Sequence, residues 1–105
     1  MTRQERLIQL DLLEKYLQEN DIMYERIDRD GYFGCVDTHQ ICVPCFDVKQ
    51  RKWDAICHRG SFGYEEGLLE IMGSIVRADA GNEVEGFLTA EDVIKRIEER
   101  KEKES

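Results

Sequence analysis

Cys42-Val43-Pro44-Cys45, with Cys35 and His39 before it and Cys57-His58 after it, is the one constellation in the chain whose side chains match metal chemistry. Zinc takes four thiolate or imidazole ligands in a tetrahedron, and a Cys-x-x-Cys turn supplies two of them. A zinc site here would use Cys42, Cys45 and Cys57 with His39, His58 or Cys35. No second Cys-x-x-Cys and no His-x-x-x-His completes the pattern, and in an extended strand Cys42 and Cys45 project to opposite faces. Buried or half-buried thiols acting as small hydrophobes account for the same residues. The expected cofactor is therefore none, with zinc as the alternative. A redox dithiol needs its first cysteine at a helix N-terminus, whereas Phe46-Asp47-Val48-Lys49 reads as strand and turn. Activation of Cys57 or Cys35 by His39 or His58 is the remaining route to a nucleophile. Adjacent Cys57 and His58 point to opposite sides of a strand, so no catalytic residue is expected and the chain reads as a non-enzyme.

The Gly60-Ser61-Phe62-Gly63 stretch has no Lys-Ser or Lys-Thr to make it a phosphate loop, and Glu65 and Glu66 behind it would repel a phosphate. Charge is the stronger signal. The formal net charge is −8, and between Gly60 and Ile94 eight carboxylates stand against Arg77 alone. Binding a bare nucleic-acid backbone requires clustered Lys and Arg, so no direct nucleic-acid contact is expected. A basic protein groove fits better, because carboxylates along one face imitate phosphates and can occupy an Arg-rich channel. Glu91 and Asp92 have a sufficient role at the start of a helix. The expected partner-binding residues are Glu65, Glu66, Glu70, Glu83 and Glu85, with Phe62 and Tyr64 as aromatic anchors and Phe87 nearby.

These residues need a frame, and 105 residues allow one modest core, hence a single domain over 1–105. From Thr2 to Glu19, Leu7, Leu10, Leu13 and Leu17 recur at helical spacing behind a Thr2 cap, and Glu19-Asn20-Asp21 ends the run. Ile22 to Asp28 alternates as a first strand. Gln40 to Phe46 and Trp53 to His58 form a hairpin, whose Pro44 calls for a sheet edge or a bulge. Leu68, Leu69, Ile71 and Met72 suggest a short helix ending at Gly73. Thr89-Ala90-Glu91-Asp92 caps a final helix with Val93, Ile94 and Ile97 on its buried side, and 98–105 is a charged tail expected to fray. The expected fold is α+β: an N-terminal helix, a three-stranded antiparallel sheet, and one or two C-terminal helices. No run approaches the roughly 18 apolar residues of a membrane span. With no export signal at the start, the cysteines are expected to stay reduced in a cytoplasmic setting. A domain of this size can also dimerise through an exposed sheet edge beside Pro44.

The run from Trp53-Asp54-Ala55-Ile56-Cys57-His58 through Gly60-Ser61-Phe62-Gly63-Tyr64-Glu65-Glu66-Gly67 to Met72-Gly73, with Val84-Glu85-Gly86-Phe87-Leu88-Thr89 to Ile94, resembles small proteins encoded by phages and mobile elements of Gram-positive bacteria. It covers about half the chain. In size, acidity and element order the chain also resembles the type II-A anti-CRISPR proteins. The resemblance implies a phage-derived inhibitor in the bacterial cytoplasm that binds the RNA-guided nuclease of a type II CRISPR system and blocks its nucleic-acid engagement. That class has no shared catalytic motif, so the resemblance transfers no residue role, and it does not account for Cys35, Cys42, Cys45 and Cys57.

Overall fold

The structure is a computed structural model that describes residues 2–29, 37–76 and 84–104. Helix α1 (Arg3–Glu19) begins as its sequence demands, with the Thr2 hydroxyl accepting the Glu5 amide at 3.1 Å. It ends at Asn20, whose side chain returns to the Tyr16 carbonyl, before Asp21 turns the chain out at φ 53°. Five strands follow: β1 (Glu25–Arg29), β2 (Thr38–Val43), β3 (Trp53–His58), β4 (Leu69–Gly73) and β5 (Val84–Leu88). A 3-10 turn over Tyr64–Glu66 separates β3 from β4, and α2 (Ala90–Glu104) closes the chain.

The sheet is an antiparallel meander in the order β1-β2-β3-β4-β5. Both helices lie on one side of it. Leu10, Leu13 and Leu17 from α1 and Val93 and Ile97 from α2 form one core with Ile41, Val43, Ala55, Leu69, Ile71 and Leu88 from the sheet. On the other side the strand register lines up Ile27, Gln40, Ile56 and Glu70 in one row, and Glu25, Cys42, Asp54, Met72 and Val84 in the next. No described helix covers that second side.

The α+β class and the two terminal helices agree with the sequence, but the described residues form a five-stranded sheet where three strands were expected. The helix expected over Leu68 to Met72 is not formed: Leu69–Gly73 is strand β4, in which Leu69 and Ile71 are buried while Glu70 and Met72 turn to the helix-free side. Five apolar-rich residues satisfy helical and alternating spacing about equally, and pairing with β3 and β5 decides between them. Residues 98 to 104 are the last turns of α2. Pro44 sits just past the end of β2, after a cis Val43–Pro44 bond. β2 is flanked by β1 and β3, so the sheet edge expected beside Pro44 is not there. Among the described residues the edge strands are β1 and β5. The Thr89 cap is realised as a reciprocal box: Asp92 N–H donates to the Thr89 hydroxyl at 3.2 Å, and Thr89 N–H donates to the Asp92 carboxylate at 3.0 Å.

Candidate partner-binding surface

Phe62 and Phe87 are 61% and 56% exposed, and their rings stack with centroids 6.3 Å apart. Two large aromatic side chains facing water together need a physical cause, since burial of either would stabilise the fold. The cause lies in how β5 pairs. Leu69 faces Leu88 but Ile71 faces Glu85, so β5 carries one extra residue and bulges at Gly86-Phe87. Phe87 takes φ 57°, a left-handed conformation that usually selects glycine, and the bulge turns its ring outward. Its amide donates to the Phe62 carbonyl at 3.2 Å.

Glycines make the close approach possible. A Cβ on Gly86 would stand 2.3 Å from the Phe62 Cβ, and one on Gly63 would stand 2.9 Å from the Leu68 Cβ and 3.1 Å from the Phe87 Cα. The Tyr64–Glu66 turn is thereby pressed against the bulge. Glu65 and Glu66 are exposed on that turn, and Glu70 accepts the Phe62 amide at 3.1 Å. Phe62, Phe87 and Glu70 thus form one surface, with Glu65 and Glu66 exposed on the adjoining turn.

Tyr64 does not join it. Its ring is buried, its hydroxyl donates to Asp37 at 2.7 Å, and the Arg6 guanidinium lies 4.4 Å over its face. Burial and the Asp37 carboxylate push the phenol above its ordinary pKa, which keeps it a hydrogen-bond donor. Tyr64 therefore anchors the turn from below. Asp37 continues the chain of contacts to buried His39, whose other ring nitrogen meets Asp28 at 2.7 Å. Arg26 joins Asp28 to Asp11 and Glu14 on α1.

Glu85 also leaves the surface. It faces the helices and takes a two-pronged contact from Arg96 at 3.2 and 3.3 Å, with both side chains nearly buried. Glu83 lies outside the described residues. The sequence pattern counted carboxylates but could not tell inward from outward ones on β5, because the Gly86-Phe87 bulge shifts the alternation by one.

Among the described residues the zinc-type side chains do not converge. Cys42 lies on the helix-free side and Cys57 on the helix side, opposite His39. His39 is committed to Asp28 and Asp37, and Cys45 points its thiol at Gln50 at 3.5 Å. His58 Nδ1 pairs with the Thr38 hydroxyl at 2.7 Å, and Cys35 is outside the described residues. Burial pushes the Cys57 thiol up to about 11 and raises the Cys42 thiol as well, so neither is a ready thiolate. Among the described residues no group of three metal-binding side chains gathers.

No known protein family, curated protein or solved structure matches this chain.

Proposed function

We propose that the chain acts by binding a protein partner, not by catalysis, and that the partner offers a basic, nucleic-acid-binding groove. The observation that carries this reading is the exposed Phe62–Phe87 pair, held in place by a left-handed Phe87 and bordered by Glu65, Glu66 and Glu70. Clustered aromatic side chains supply contact energy at interfaces, and carboxylates around them select a basic surface and speed the encounter. The left-handed Phe87 adds support, because it costs free energy that a glycine would spare. Function is the natural place for such a cost.

The sequence resemblance makes the RNA-guided nuclease of a type II CRISPR system the first partner to test. In that reading the chain is a phage-derived inhibitor in the bacterial cytoplasm, and the acidic surface occupies the channel that nucleic acid would enter.

Phe87→Gly separates binding from folding. It removes the ring while relieving the backbone, so thermal stability should stay within about 1 kcal/mol of the parent chain. Affinity for the guide-loaded nuclease should fall at least tenfold, by calorimetry or surface capture, and Glu65→Lys with Glu66→Lys should lower it further. Unchanged affinity in both variants removes this surface from the proposal. Absence of any complex at low salt removes that nuclease as the partner.

A further inference from the structure

The buried stripe of α1 runs through Leu10, Leu13 and Leu17, yet the helix carries two more large apolar side chains on its far side. Ile8 and Leu12 are 47% and 48% exposed. At about 100° per residue, Glu5, Ile8, Leu12, Lys15 and Glu19 fall on one face of the helix. Leu12 also opens into a shallow groove of about 350 Å³ between α1 and α2, floored by Tyr16, Ala90 and Ile94. No described element packs over this face. Core formation does not require it, since the opposite stripe already fills that role.

We infer that this face is a self-association surface on which α1 meets α1 of a second copy, antiparallel about a two-fold axis. Charge complementarity selects a second copy as the occupant. A two-fold axis crossing α1 at the level of Leu10 sets Ile8 of one copy against Leu12 of the other. In the same register it sets Glu5 against Lys15. Every contact occurs twice, as an isologous interface requires. Centring the axis on Leu12 instead would set Glu5 against Glu19, so the charges choose the first register. Lys15 is free to make the contact: its described partner is Glu19 at 4.0 Å, an exposed pair one turn away that holds it only weakly. The apolar patch is small, so the dimer is weak and forms with rising concentration.

Sedimentation velocity on the full chain tests this. The weight-average mass should climb above that of one chain as loading increases. Leu12→Glu alters an exposed position, so its far-UV circular dichroism should match the parent while it stays monomeric throughout. Lys15→Glu and Glu5→Lys should each lose self-association at low salt, and an equimolar mixture should regain it, because only the mixed dimer restores both charge pairs. A parent chain that stays monomeric at the highest loading, a Leu12→Glu chain that still dimerises, or a mixture no better than its components overturns the inference. Capture of a different protein on this face by a monomeric chain overturns it equally.

Discussion

His39 is fully buried, and both of its ring nitrogens meet carboxylate oxygens, Asp28 across the β1–β2 ladder at 2.7 Å and Asp37, just before β2, at 3.0 Å. Burial alone would raise the Asp28 pKa, but hydrogen bonds from His39 and Arg26, with the Arg26 charge, outweigh it and hold the group below the ordinary carboxylate range. Folding therefore releases protons from Asp28 in that range. Its stabilising contribution is complete above about pH 4 and is lost as the pH falls through the lower folded value. Asp28→Asn should accordingly be less stable than the parent at pH 7, and the gap in urea midpoint should close as the pH falls below about 4. A gap that stays constant over that window would mean the charge on Asp28 is not what the fold uses.

The elements are joined by one contact that resembles this one but is better shielded. Glu85 of β5 and Arg96 of α2 make a bidentate pair with side chains 8% and 12% exposed, and it fixes how α2 sits on the sheet edge. Removing one member of such a pair strands a charge, whereas replacing both with apolar groups does not. Arg96→Met alone should cost about 3 kcal/mol in denaturant unfolding, and adding Glu85→Leu should recover most of it. A double variant as unstable as the single one would assign the loss to packing by the Arg96 stem instead. Helix caps, unlike this pair, were legible in the sequence because they are local: Thr2 and Thr89 each act within three residues. The hairpin of β2 and β3 was legible too, from its alternation. β4 was not, because five residues cannot declare a period and the ladders on both sides decide it. The acidic surface was half legible for the same reason. Phe62, Glu65 and Glu66 are exposed, as a polar turn between strands leads one to expect, but the inward turn of Glu85 and Tyr64 depends on Arg96 and Asp37, contacts 11 and 27 residues away. The Gly86-Phe87 pair was the available hint, since glycine inside a strand marks a bulge.

Across the whole molecule, charge sets two tendencies that pull in opposite directions with salt. A net charge of −8 sits on a body with a radius of gyration of 13.3 Å. That dimension is close to the Debye length of about 10 Å at 0.1 M salt, so at low ionic strength carboxylates across the surface repel one another. Added salt screens that repulsion and should raise the thermal midpoint of the free chain by a few degrees between about 10 mM and 0.5 M sodium chloride. The Glu85–Arg96 pair contributes little to the change, because its side chains are nearly buried and screened less than surface charges. A complex with a basic groove responds the other way: screening weakens the attraction, so affinity should fall over the same range. Measuring both in one salt series separates electrostatic docking from a general salt effect on folding. A free chain that gains stability while its complex also tightens would mean that the Phe62–Phe87 pair binds by apolar contact, with the surrounding carboxylates serving solubility alone.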